Sequence, residues 1–172
     1  HLSPRPIAPR AWLADLSALL TRTLGEAVRI RIECASPLPE VRAHIVRQAA
    51  ELMAKNHCVF IGGDHSVTLS LLRAARARHG QALACVHFDA HFDTWTDHFG
   101  EPSGHGTWTY EAIQEGLISA EHTVQIGIRS AGERAAREYV ADQGGQIFAA
   151  RALRGLDGAA LGPVLAAIRE RI

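Results

Sequence analysis

The 172 residues suffice for one domain with a hydrophobic core, since domains most often run to roughly 100–150 residues. A 47 % hydrophobic share and a 21 % charged share exclude a disordered or fibrous chain. Eighteen basic residues against eighteen acidic ones give a net charge of +0, which argues against a nucleic-acid or anionic-membrane partner, because either would want a basic stripe.

Trp12, Leu13, Leu16, Leu19, Leu20 and Leu24 recur at helical spacing, and Val28, Ile30 and Ile32 alternate with Arg29, Arg31 and Glu33 like a strand with one wet face. Ser36-Pro37-Leu38-Pro39 then punctuates the chain and sets a boundary near residue 40. Residues 1–40 are thus a separate amino-terminal segment, and 41–172 are expected to be part of a single α/β domain. Val41–Asn56 reads as an amphipathic helix, His57–Ile61 as a short apolar strand stopped by Gly62-Gly63, and Val67–His79 as a helix. Ala82–Phe88 is a second strand, Tyr110–Leu117 a helix, Thr123–Ile128 a strand, Arg134–Ala141 a helix, Gln146–Ala149 a strand and Ala159–Arg171 a helix. Repeated β-α-β order predicts an α/β fold of three αβα layers, a parallel sheet with helices on both faces.

No stretch approaches the roughly 20 apolar residues of a membrane span. His1 to Arg10 lacks the charged-then-apolar pattern of a signal peptide, and a cytoplasmic protein is expected. Cys58 and Cys85 lie inside apolar runs, as suits buried thiols in a reducing compartment, and the absence of C-x-x-C disfavours thiolate-bound zinc.

Two polar clusters fall just past the carboxyl ends of predicted strands, where open α/β sheets bind ligands. In Gly62-Gly63-Asp64-His65-Ser66 the glycines permit a tight turn that brings Asp64 and His65 to the sheet edge. The second cluster is His87-Phe88-Asp89-Ala90-His91-Phe92-Asp93. If this segment stays extended, Asp89, His91 and Asp93 project from one face and Ala90 and Phe92 from the other. Two carboxylates and an imidazole so close together repel and resist desolvation unless a cation joins them. Imidazole and carboxylate without thiolate favour manganese over iron, cobalt or zinc, and disfavour calcium. His87 lies deeper in the strand and reads as a hydrogen-bonded core histidine. Asp64 reads as an orienting group, with a ligand role left open. A third feature, Ser103-Gly104-His105-Gly106-Thr107, allows two readings: a histidine that reaches substrate, or a plain surface loop.

GGDH, DAHFD after a strand, SGHGT running into a helix, and Val124-Gln125-Ile126-Gly127-Ile128-Arg129 resemble, in order and spacing, the agmatinase branch of the ureohydrolase (arginase) family, over residues 41–172. The resemblance implies an arginase-like fold and two manganese ions. His65 and Asp93 would bind one ion, His91 the other, and Asp89 would bridge them. It further implies that hydroxide shared by the ions attacks a guanidinium carbon, yielding urea and an amine, while His105 moves the proton to the leaving amine or helps replenish the bridging water. A guanidinium is a poor electrophile, and metal coordination lowers the pKa of water from 15.7 to about 7, so this chemistry is sound in itself. Metallophosphoesterases also use D-x-H and G-D motifs, but in the opposite order and with a G-N-H that is missing here.

The family's later S-x-D-x-D-x-x-D-P element, its guanidinium-gripping glutamate and its earlier G-x-P-x-D and R-x-G-x-R-x-G-P regions have no counterpart; Asp97, Asp142 and Asp157 do not match. The chain is therefore expected to be a portion of a longer protein. Thr94–Thr107 holds Asp97 and Glu101 but no Lys or Arg, which suits the ammonium end of agmatine better than a carboxylate. Trp95 and Trp108 would line the pocket or simply pack. Other guanidino substrates (guanidinobutyrate, formiminoglutamate, arginine) and a truncated, non-catalytic homologue are the alternatives. The family resemblance also implies a homo-oligomer, trimer or hexamer.

Overall fold

The computed structural model describes residues 38–98, 100–155, 157–158 and 161–172, so the helix and strand expected in the first forty residues lie outside the described part. The described residues belong to one unit, Pro37–Ile172. Its first helix, α1 (Leu38–Met53), carries Glu40 in its first turn, where a carboxylate complements the helix dipole. It packs against α2 (Val67–His79). The second helix stops where Gly80 adopts φ 73°, a left-handed conformation that closes the helix with its N–H donating to the Arg76 carbonyl at 3.0 Å.

Three strands follow: β1 (Leu83–Phe88), β2 (Ile118–Ile128) and β3 (Gln146–Ala149), all parallel and in the spatial order β1-β2-β3. Parallel neighbours need crossovers. The first contains α3 (Trp108–Gln114) and the second α4 (Arg134–Asp142). A short α5 (Ala150–Leu153) and α6 (Gly162–Arg171), the latter with proline at its first turn, complete the order. Leu83 and Cys85 of β1 face a core of Leu69, Trp108, Ala112, Leu117 and Ile118, contributed largely by α2 and α3. Val86, Val124, Ile126 and Phe148 face the other way, onto Leu153, Val164 and Ile168 of α5 and α6. Helices cover both faces of a parallel sheet, as the sequence predicts. Burial pushes the Cys85 thiol up to about 11, leaving it an inert packing group.

Two expectations need correction. His57–Ile61 pairs with no strand among the described residues, and Val59 and Ile61 are exposed. Apolar composition marks a segment able to enter a sheet, but only a neighbour's backbone makes it a strand. β1 is an edge strand of the described sheet, and its last residue, Phe88, is also exposed. β2 begins five residues before the predicted Thr123, because a pairing irregularity between Leu83 and Cys85 absorbs the extra residues: Leu83 pairs with Ile118 and Cys85 with Thr123. None of the helices among the described residues is long and apolar enough to cross a membrane.

Candidate metal centre

His65 reaches the sheet edge through the turn that starts α2. The Asp64 carboxylate accepts the Ser66 N–H at 2.8 Å, and the His65 carbonyl accepts the Thr68 N–H at 3.1 Å. Those Ser66 bonds hold the Asp64 carboxyl below its usual range despite partial burial. From the other side, β1 ends at Phe88 and delivers Asp89, whose own N–H donates to the Ile126 carbonyl at 3.2 Å. Gly127, at φ 94°, lies at the irregularity between Ile126 and Ile128 in the β2–β3 pairing, and a side chain there would stand 3.2 Å from the Asp89 carbonyl.

The extended course expected over Asp89–Asp93 is not found. Asp89 Oδ1 accepts the His91 N–H at 2.9 Å, folding the segment into a turn closed by a side chain rather than by a sheet partner. Asp93 then lies at φ 51°, in the left-handed region that aspartate tolerates better than most residues. It is locked there: its carbonyl accepts the N–H groups of Thr109 and Tyr110 at 3.0 and 3.3 Å, and its Oδ2 accepts the indole N–H of Trp108 at 2.7 Å.

The turn gathers a different set of side chains from the one alternation suggests. His65, His87, Asp89 and Asp93 each offer a donor atom, all within 4.8 Å of one another. His65 Nδ1 stands 3.0 Å from Asp93 Oδ2 and 3.2 Å from Asp89 Oδ2. His87 Nε2 lies 3.5 Å from Asp89 Oδ2 and 3.9 Å from Asp93 Oδ2. His91 is outside that group, with a side chain 68 % exposed, but its Nδ1 sits 3.2 Å from Asp89 Oδ1. Asp89 therefore lies among three imidazoles, with Oδ2 towards His65 and His87 and Oδ1 towards His91.

The electrostatics suit a cation. The hydrogen bond to Asp93 raises the His65 pKa. Burial works to raise the Asp89 carboxyl, but the His91 amide and the surrounding imidazoles outweigh it and hold that carboxyl low. Burial also pushes the His87 pKa down, against the opposing pull of Asp93 and Asp89. Trp108, 2 % exposed, packs against the rings of His65 and His87 at centroid distances of 5.1 and 4.9 Å, so the cluster has an apolar wall that strengthens charge interactions. Two carboxylates beside imidazole, with no thiolate, fit a hard-to-borderline divalent ion.

The other candidate residues sit on the rim. The imidazole of His105 is mostly exposed, with its Nδ1 3.9 Å from Asp64 Oδ2 and its ring edge-on to His98 at 4.3 Å. Gly104 allows this approach, since a Cβ there would fall 2.5 Å from His98 Cγ. Asp97 accepts the Gly100 N–H at 2.9 Å, and Glu101 pairs through its backbone with His98. Sequence reasoning missed the direct contact of Trp108 with Asp93 and the buried Gln125, whose amide donates to the Phe92 carbonyl at 2.8 Å. A lone amide inside the apolar run Val124–Ile128 was the available signal for the second; nothing local signalled the first.

The Arginase family model matches residues 14–172. The chain is 53 % identical over 79 residues to the agmatinase of Proteus mirabilis, covering 46 % of this chain and 25 % of that protein. It is 42 % identical over 91 residues to the agmatinase of Chromobacterium violaceum, covering 52 % and 28 %. The match thus spans only about a quarter of these relatives' length. Among solved structures, proclavaminate amidino hydrolase from Streptomyces clavuligerus superposes with a TM-score of 0.65 at 31 % identity, over 78 % of this chain and 44 % of that one. The family match over most of its length, together with the shared fold, shows that the chain belongs to the arginase family.

Proposed function

We propose that this protein is a dinuclear manganese hydrolase that cleaves the guanidinium group of agmatine to putrescine and urea, with residues 41–172 forming part of its single α/β domain. One observation carries the reading: Asp89 presents Oδ2 to His65 and Oδ1 to His91, each at 3.2 Å, so that its two oxygens would be available to both ions. His65 and Asp93 would hold one ion and His91 the other. When bound, such ions lower the pKa of water and polarise the substrate. The protein's own groups do the rest. Trp108 and His65 fix the Asp93 carboxylate. His105, its Nδ1 turned towards Asp64, gives a proton to the departing amine. Asp97 and Glu101 on the acidic rim attract the distal ammonium. The agmatinases among its relatives support this substrate. The likeness to an amidino hydrolase supports a different guanidino compound as the second reading. We place the enzyme in the cytoplasm, as a trimer or hexamer.

The test is urea release by the whole protein from agmatine, arginine, guanidinobutyrate and formiminoglutamate, with and without Mn(II). Agmatine is expected to give the highest kcat/KM, and only with the metal. Urea from another compound alone would replace the substrate, and urea from none would end the hydrolase reading.

A further inference from the structure

His87 is neither an ordinary core histidine nor suited to be a ligand, and the reason lies across the sheet. Gln125 is its register partner on β2 and is fully buried. The Gln125 amide nitrogen donates to the Phe92 carbonyl at 2.8 Å, which fixes the amide's orientation, because the flipped amide would set oxygen against oxygen. Its remaining N–H faces His87 Nδ1 at 3.1 Å. Nδ1 is thereby the acceptor, and the ring proton resides on Nε2. That nitrogen, in a side chain 5 % exposed, makes no regular hydrogen bond, and Asp89 Oδ2 lies 3.5 Å and Asp93 Oδ2 3.9 Å away from it. A ring nitrogen bearing a proton has no lone pair for a metal.

We propose that His87 is a positioning residue, a neutral Nε2–H donor that aims the Asp89 and Asp93 carboxylates at the metal site, with its tautomer set by Gln125 and the Phe92 carbonyl. The relay runs Phe92 C=O, Gln125, His87, Asp89, and every member but the last is removed from solvent. Hydrogen-bonded partners of this kind orient metal ligands and tune their basicity. The proposal rests on the metal-dependent reading above and adds a division of labour to it: of the four converging groups, three bind and one aims.

The experiment is Mn(II) binding to the whole protein, read from the free-ion EPR signal, in wild type and three variants. His87→Phe, which removes the donor, is expected to weaken binding about 10- to 100-fold, whereas His87→Gln, which can return an N–H near the Nε2 position, stays within about threefold of wild type. Gln125→Met, which frees the tautomer without touching the site, falls between them. Equal losses in both His87 variants would make the ring a ligand and overturn the proposal; unchanged affinity in all three would reduce it to packing, with the same result. Should His87→Phe fail to fold, judged by near-ultraviolet circular dichroism, the contrast between His87→Gln and Gln125→Met decides alone: retention in the first with loss in the second supports the relay, and any other pattern overturns it. No Mn(II) uptake by wild type would overturn the proposed function itself, and the relay with it.

Discussion

The metal cluster and the rim loop around His105 carry equally conspicuous sequence motifs, yet the fold treats them differently. Asp93 is 5 % exposed and receives hydrogen bonds at both its carbonyl and its carboxylate, from an indole and from backbone amides. Asp97, four residues on, is exposed, and its carboxylate closes a turn on Gly100. His65 contacts two carboxylates within 3.2 Å, whereas His105 has one, at 3.9 Å. The difference teaches that Asp93 is held by groups far along the chain, whereas Asp97 and Glu101 are held by local turns. Substitutions should therefore cost most where partners come from distant parts of the chain.

The sharpest way to break this comparison is Asp89→Asn. It keeps the side chain's size and its acceptor for the His91 N–H but removes the charge facing both His65 and His91. Because substituting even an outer partner typically costs 10–100-fold in metal affinity, loss of this carboxylate is expected to exceed about 100-fold. A decrease below tenfold in a Mn(II) titration would mean that Asp89 does not bridge. Trp108→Phe should rank next. It preserves the packing against His65 and His87 but deletes the donor to a buried carboxylate, a bond of the kind worth about 1.5–3 kcal/mol. A lower urea midpoint in metal-free protein and about tenfold weaker Mn(II) binding are expected. An unmoved midpoint would show that the indole only fills space.

How much of this could be read without coordinates depends on how local each determinant is. The parallel α/β arrangement was legible because apolar runs and helical periodicity are properties of short windows, and DAHFD pointed to a donor cluster because its acidic and imidazole groups are adjacent. His57–Ile61 was misread because strand pairing is non-local. The turn at Asp89–Asp93 was missed for a subtler reason: the Asp89 side chain, read only as a candidate ligand, also competes for the His91 backbone N–H. Trp108 and Gln125 reach the site from 15 and 33 residues beyond the backbone or side-chain groups they bind, at Asp93 and Phe92 respectively. Motifs name the donors; only the fold names what aims them.

The smallest expected effect tests the other half of the comparison. Asp97→Asn retains an oxygen that can accept the Gly100 N–H, so the turn survives while its charge is lost. An exposed ionic contact is worth about 0.2–1 kcal/mol, which places the expected rise in KM for agmatine at roughly 1.5- to 5-fold, with kcat and Mn(II) affinity unchanged. Glu101→Gln should act in the same direction. The informative control is guanidinobutyrate, whose distal carboxylate is repelled by the groups that attract an ammonium. Its KM should fall in both variants as that of agmatine rises. Parallel changes for the two compounds would mean that the acidic residues act only through loop structure, and unchanged KM values would remove them from the substrate site while leaving the Asp89 cluster intact.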